Sequence, residues 1–277
     1  MGSIIGYLGP PGTFTEEVAR SYNKNGTFLL RPYPAIDKVF TAIANKEIYQ
    51  GVVPVENSLE GSVNLTLDLL SGNTDLKIKS ELLCRIKHFL LAAPGQTLNK
   101  IKEVYSHPQA LAQCRFFLDK LLPNTLRINM SSTADAAVLV AQSEGKAAVA
   151  SQQTAELYGL DILGENIQDE PFNITRFFLI GIDDAPQTGD DKTSILIGLH
   201  DQPGSLFSAL GILADYNLNL TKIESRPTRG ELGKYIFFLD IVGHREDERV
   251  AQALKELKEK ALFLKLLGSY PRATTPM

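Results

Sequence analysis

Cysteine is scarce in this chain: of 277 residues only Cys84 and Cys114 are cysteines, far apart and without a Cys-x-x-Cys spacing. That excludes a disulfide framework and a cysteine zinc site, and both read as small buried hydrophobes in a reducing compartment. His88, His107, His200 and His244 are scattered without ligand spacing, and no His-Glu-x-x-His occurs, so no metal is expected. No Gly-x-Gly-x-x-Gly follows the first apolar run. Gly9-Pro10-Pro11-Gly12-Thr13 resembles the start of a nucleotide-binding loop, but Phe14 and Thr15 stand where Gly-Lys would neutralise phosphates. No cofactor is called for. No apolar run reaches the roughly 20 residues that span a bilayer. The start, Met1 to Gly6, carries neither a basic region before an apolar one nor the Ser or Thr of a myristoylation signal. A cytoplasmic protein without membrane contact is expected. A net charge of −4, with no Lys/Arg cluster along a helix, likewise excludes nucleic acid as a partner.

Hydrophobic residues make up 44% and charged residues 22%, the balance of a packed protein. The length suits two domains, one larger. Short β-branched runs at Ile4–Leu8, Thr27–Arg31, Val52–Val55, Val104–Ser106, Leu126–Asn129 and Ala147–Ala150 each precede helical periodicity, the βαβ rhythm of a mostly parallel sheet. Thr13-Phe14-Thr15-Glu16, Ser106-His107-Pro108-Gln109 and Ser132-Thr133-Ala134-Asp135 have the spacing that satisfies the free N–H groups of a first helical turn. In an open α/β sheet such turns gather at the carboxyl ends of the strands, and helix N-termini there favour anions. An anion-binding cleft follows from their convergence, although each cap alone is accounted for by helix stability.

The polar stretch 183–192, with Pro186 and Gly189, has the composition of a linker. Beyond it come Thr193–His200 (strand), Pro203–Tyr216 (helix), Asn219–Arg226 and Lys234–Val242 (strands), Glu246–Ala261 (helix) and Leu262–Gly268 (strand). That order, βαββαβ, is ferredoxin-like. In its second helix Val250, Leu254, Leu257 and Ala261 repeat at helical spacing, which predicts one face on a sheet and a solvated charged face opposite.

Gly9–Thr15, Gly51–Ser58, Ser106–Leu111 and Asn173-Ile174-Thr175-Arg176-Phe177 come in the order seen in prephenate dehydratases, and Gly204-Ser205-Leu206-Phe207 and Glu224-Ser225-Arg226-Pro227 resemble the family's ACT motifs. The chain thus resembles a monofunctional prephenate dehydratase, with no chorismate mutase segment ahead of Met1. The resemblance implies an α/β catalytic domain at 1–182, bilobal like type II periplasmic binding proteins, with subdomains at about 1–76 plus 166–182 and at 77–165. A ferredoxin-like ACT domain follows at 193–277. It also implies prephenate as substrate, L-phenylalanine as allosteric effector, and a homodimer or homotetramer.

The resemblance makes Thr175 the catalytic hydroxyl and makes Thr13, Glu56, Asn57, Ser58, Ser106, Gln113 and Arg176 substrate contacts. A hydroxyl that hydrogen-bonds the departing oxygen stabilises charge present only in the transition state. Arg176 is either a carboxylate clamp or the ion-pair partner of an acid such as Glu56, and a regular strand would turn Thr175 and Arg176 to opposite faces. Glu56, as an ionised carboxylate beside a dianion, would orient other groups unless protonated. Gln113 is expected on the helix face of Ser106. The ACT resemblance implies a phenylalanine site at Gly204, Ser205, Leu206, Phe207, Asn217, Leu218, Glu224 and Ser225, with main-chain groups at Asn217-Leu218 for the ligand's ammonium and carboxylate. Arogenate dehydratase, a non-catalytic solute-binding protein and a purely regulatory amino-acid sensor remain the alternatives.

Overall fold

Ile4–Leu8 forms strand β1, buried along its centre on both faces, as a continuous apolar run in a covered sheet requires. The computed structural model describes residues 3–72, 75–228 and 235–277. Lys234, Met1 and Gly2, named above, lie outside them. Two units divide the chain: Met1–Thr66 with Leu82–Phe177 and Thr275–Met277, and Leu67–Glu81 with Phe178–Thr274.

After β1 the chain runs through α1 (Phe14–Tyr22), β2 (Leu29–Tyr33), α2 (Ile36–Ala44), β3 (Gln50–Asn57), β4 (Gly61–Ser62), α3 (Asn64–Ser71) and β5 (Lys77–Arg85). Next come β6 (Phe89–Ala92), β7 (Glu103–Ser106), α4 (Pro108–Gln113), α5 (Arg115–Leu121), β8 (Leu126–Asn129), α6 (Thr133–Val140), β9 (Lys146–Ala150), α7 (Gln152–Tyr158), β10 (Asp161–Gly164) and β11 (Ile174–Gly181). One sheet has the order β2-β1-β3-β11-β5, with β4 on β3; the other has the order β10-β6-β9-β7-β8. Both lobes of the α/β fold are thus built on their own sheet.

The second sheet is mixed rather than mostly parallel: β7 pairs parallel with β8 and β9, but β6 pairs antiparallel with β9 and β10. Strand β2 is also shifted from Thr27–Arg31 to Leu29–Tyr33. Its register with β1 carries it through Pro32, which an edge strand tolerates because no N–H is needed on its open side. Alternation fills two cores in the second sheet. Leu90, Ala92, Ala147 and Val149 meet Leu111 and Leu118 on one face; Phe89, Leu91, Ala148 and Ala150 meet Ala136, Ala137 and Val140 on the other.

In the second unit β12 (Asp191–Gly198), α8 (Ser205–Asp215), β13 (Leu220–Pro227), β14 (Tyr235–Val242), α9 (Glu248–Lys260) and β15 (Phe263–Pro271) follow the βαββαβ order. Their sheet has the order β13-β14-β12-β15. Ile195, Ile197, Leu239 and Ile241 pack under Ala209, Ile212 and Leu213 of α8 and Ala253 and Leu257 of α9. Strand β12 begins two residues inside the stretch read as linker. Buried Asp191 accepts from Thr188 N, Thr188 Oγ1 and Gly189 N at 2.7–2.9 Å, a local turn that charge composition alone does not distinguish from a solvated loop.

Candidate active site

The strand-to-helix turns build a cavity of about 400 Å³ in the larger unit. Leu8, Gly9, Pro10 and Thr13 come to it from the β1–α1 turn, Asn57 from the end of β3, Gln113 from α4, Ser131 and Ser132 from the β8–α6 turn, and Thr175 and Phe177 from β11. His88 and His107 also line it. The β1–α1 turn is pinned at both ends. Gly12, at φ +90°, donates its N–H to Glu16 Oε2 at 2.6 Å and its carbonyl accepts from Thr154 Oγ1 at 2.7 Å, a left-handed conformation that favours glycine. Thr13 Oγ1 caps α1 by accepting from Glu16 N at 3.4 Å and donates to Leu8 O at 3.0 Å. Ser132 likewise caps α6, accepting from Asp135 N at 2.9 Å.

Helix α4 begins differently from expectation. His107 is its N-cap, its Nδ1 accepting from Gln109 N at 3.3 Å. Ser106 closes β7 instead, wholly buried, and its Oγ donates to Val149 O at 2.6 Å. Ser106 and Gln113 therefore do not share a helix face.

A chain of carboxamides crosses the cavity wall. Asn57 Oδ1 accepts from Leu59 N and Glu60 N at 3.0 and 3.1 Å, while its Nδ2 donates to Asn173 Oδ1 at 2.7 Å and to Thr175 Oγ1 at 2.8 Å. Asn173 Nδ2 donates to Gln113 Oε1 at 2.9 Å, and His88 Nε2 lies 3.2 Å from the same oxygen. Because Thr175 Oγ1 accepts from Asn57, its own proton is available to the cavity. Among the described residues lining the cavity there is no Lys or Arg. An anion there meets amide, hydroxyl and main-chain donors at the starts of α1 and α6, whose dipoles carry partial positive charge, and also the Asp135 carboxylate, which lines the cavity and accepts from Ser131 Oγ at 2.5 Å.

His88 is buried, with the edge of its ring pair to Phe14 at a centroid distance of 5.7 Å. Desolvation lowers its pKa to about 4, against a smaller upward pull from Gln113. The unfolded ring takes a proton near its ordinary value of 6.5, so His88 leaves stability untouched above that pH and lowers it as pH falls from 6.5 toward 4. The slope from one such proton is at most about 1.4 kcal/mol per pH unit. His88→Gln should lose less melting temperature than the parent between those values; parallel thermal melts in that window measure it, and identical slopes would remove His88 as the source.

Comparison with known proteins decides the family. The family model described as prephenate dehydratase matches residues 5–185, and that of the ACT domain matches residues 193–259. The chain belongs to the prephenate dehydratase family. Prephenate dehydratase of Methanocaldococcus jannaschii is 41% identical, covering 98% of this chain and 99% of that protein. The bifunctional chorismate mutase/prephenate dehydratase of Aquifex aeolicus is 46% identical over 97% of this chain and 74% of its own length. A crystal structure of prephenate dehydratase in complex with L-Phe from Arthrobacter aurescens superposes with a TM-score of 0.91 at 37% identity, covering 99% of this chain and 92% of that one. A structure described as GqqA, a novel type of quorum quenching acylase, gives a TM-score of 0.88 at 32% identity over 98% of both chains.

Of the residues that the dehydratase resemblance singles out, Thr13, Asn57, Gln113 and Thr175 line the cavity; Glu56, Ser58, Ser106 and Arg176 do not. Both Thr175 and Arg176 lie in β11, and Phe177 lines the cavity with Thr175, as a period of two requires. Arg176 is buried with Nη1 3.9 Å from Glu56 Oε2. Ser58 Oγ donates to Phe172 O at 3.1 Å and accepts from Ile174 N at 3.0 Å, tying down the segment that leads into β11. Asn173 and His88 were not singled out from sequence. Asn173 stands inside the Thr175 motif, which was the available signal; His88 carried none, because its role depends on a partner 25 positions away.

In the ACT unit, Gly204 caps α8 at φ +85° with no side-chain bond, and Ser205 and Leu206 open the helix. Gly204 and Ser205 line one small cavity of about 260 Å³, and Ser205 and Leu206 another of about 140 Å³. Asn217 N and Leu218 N donate to Ala214 O and Leu213 O, closing the C-terminus of α8, so these N–H groups are engaged by the helix. Glu224 lies 3.7 Å from Lys222 in β13, and Ser225 is exposed two residues before its end. Both cysteines are buried and free, and burial pushes the Cys84 thiol up to about 12.

Proposed function

We propose that this cavity converts prephenate to phenylpyruvate. The observation that carries the proposal is the hydroxyl of Thr175, held by Asn57 at the edge of a cavity with hydrogen-bond donors and no Lys or Arg among its described residues. Prephenate carries a carboxylate on its pyruvyl arm, another on a quaternary ring carbon, and a ring hydroxyl opposite. The bond to the ring carboxylate breaks as carbon dioxide leaves; its electron pair enters the ring while the opposite carbon–oxygen bond breaks and oxygen departs as hydroxide, taking a proton to become water. Aromaticity drives the step, so the site needs to orient the arm, stabilise the departing oxygen, and avoid holding the lost carboxylate too tightly. A Lys or Arg on that carboxylate would oppose decarboxylation; neutral donors suit it better. Gln113 binds the substrate and Asn57, its amide engaged in the wall, orients the Thr175 hydroxyl, with Thr13 holding the β1–α1 turn, while Ser58, Ser106 and the Glu56–Arg176 pair support the walls. Incubation with prephenate, following phenylpyruvate, tests the proposal; with arogenate in parallel, turnover of arogenate alone would overturn it. An acylase reading finds less support, since the side-chain partner of Thr175 is an amide rather than a base.

The ACT unit supports a second function, feedback by L-phenylalanine at Gly204, Ser205, Leu206, Phe207, Asn217, Leu218, Glu224 and Ser225. Phe207 is 80% exposed, and Gly211, one turn further on α8, has open space around it. Both lie away from Ala209, Ile212 and Leu213, which face the sheet. A second copy of the chain would cover this face, as a homodimer or homotetramer. The N–H groups of Asn217 and Leu218 are engaged by α8 itself, so main-chain carbonyls there are left for the ligand's ammonium; the start of α8 lies a helix length of about 16 Å away, so the carboxylate needs donors from the second copy. Phenylalanine and prephenate should then weaken each other's binding by one common factor. Calorimetry of phenylalanine binding, with and without a non-reacting substrate analogue, checks it; an affinity that the analogue leaves unchanged, or no binding, would remove the regulatory role. No helix among the described residues is long and apolar enough to cross a membrane.

A further inference from the structure

We propose that His88 is a positioning residue: its Nε2–H locks the Gln113 carboxamide so that the amide's N–H groups, and not its oxygen, face the substrate. The proposal rests on the reading of this cavity as the prephenate site. Donor and acceptor roles propagate through the wall from the backbone. Main-chain N–H groups of Leu59 and Glu60 fix Asn57 Oδ1 as an acceptor, so Asn57 Nδ2 donates to Asn173 Oδ1. Asn173 Oδ1 being an acceptor, its Nδ2 donates to Gln113 Oε1. That oxygen is now an acceptor as well, and the ring nitrogen 3.2 Å away must carry the proton. The neutral Nε2–H tautomer is the one state of His88 that the network accepts.

Within this network two buried atoms have no partner among the described residues, Gln113 Nε2 and His88 Nδ1. Gln113 lines the cavity and its oxygen is held from two sides, so the donor end of the amide is the end left for a ligand. A glutamine amide unheld would turn over readily and offer its oxygen to an anionic substrate, which repels it. With His88 in place the turned state sets N–H against N–H twice, once at His88 and once at Asn173. A charged ring would need a second acceptor at Nδ1, which the described surroundings do not provide. The ring therefore serves as a fixed donor and not as the proton source for the leaving hydroxide.

His88→Leu should raise KM for prephenate about tenfold with a smaller change in kcat, since one charge-assisted contact through Gln113 is lost. His88→Gln, which can place an amide N–H near the same oxygen, should recover most of that loss. The double variant His88→Leu with Gln113→Ala should be no worse than Gln113→Ala alone. An unchanged KM in His88→Leu, or effects that multiply in the double variant, would overturn the proposal. If the leucine variant does not fold, nitrogen-15 NMR of the wild-type imidazole decides: a neutral Nε2–H ring from pH 7 down to pH 5 supports the assignment, and an Nδ1–H or charged ring overturns it. Failure of the wild type to turn over prephenate would instead overturn the catalytic reading, leaving the tautomer measurement to stand alone.

Discussion

Thr175→Val is expected to lower kcat by about 10²-fold or more, on the order of 3 kcal/mol, with little change in KM for prephenate. Valine keeps the β-branched shape that β11 uses at this half-buried position, and it removes one oxygen. That oxygen accepts from Asn57 Nδ2 at 2.8 Å, an orientation that leaves the Thr175 proton for the cavity. In the ground state the ring hydroxyl of prephenate is neutral and gains little from a donor. As the carbon–oxygen bond breaks, the oxygen acquires charge, and the same hydrogen bond strengthens. The loss therefore falls on kcat, and Thr175→Ser should be milder because it retains the proton. Steady-state kinetics on variants shown to be folded by circular dichroism give the answer. Near-normal kcat in the valine variant would mean that another group stabilises the leaving oxygen.

The turns that build the cavity were legible because their chemistry is local. Thr13 with Glu16 and Ser132 with Asp135 cap their helices at the expected spacing, and a cap needs only a few neighbouring residues to be recognised. Strand periodicity was equally informative at β11, where alternation alone separates Thr175 and Phe177 from Arg176. Long-range commitments were hidden. Ser106 is bonded to Val149, Ser58 to Phe172, and His88 to Gln113, pairings between segments distant in sequence. A serine at the end of a strand looks the same in sequence whether its hydroxyl faces a ligand or a neighbouring carbonyl. The mixed sheet escaped for a related reason: β6 is a four-residue apolar run, and such a run carries no mark of its direction. Strand β2 runs on through Pro32, past the expected end at Arg31, because a proline's missing N–H matters in a central strand and not at the edge that β2 occupies.

Asn57→Asp should lower kcat by about 10²- to 10³-fold while leaving the fold intact. The substitution is nearly isosteric and keeps an acceptor for Leu59 N and Glu60 N, whose bonds shape the turn after β3. At the other end it exchanges an N–H donor for a second carboxylate oxygen. Asn173 Oδ1 and Thr175 Oγ1, each now accepting from Asn57 Nδ2, would both face an acceptor. Thr175 can answer in one way, by turning its proton toward the new carboxylate, which withdraws that proton from the leaving oxygen. Asn173 can answer by turning its amide over, which in turn sets its oxygen against Gln113 Oε1 and disturbs the third member of the wall. The added negative charge also lies at the lining of a cavity that has no Lys or Arg among its described residues, so a dianionic substrate should bind less well and KM should rise together with the fall in kcat. Low pH should restore part of the loss, because protonating the new carboxyl returns a donor to this position and removes the charge. The discriminating measurement is the pH profile of kcat/KM for the aspartate variant beside the parent. A variant whose kcat stays within a fewfold of the parent at neutral pH would show that the proton of Thr175 is not oriented by Asn57.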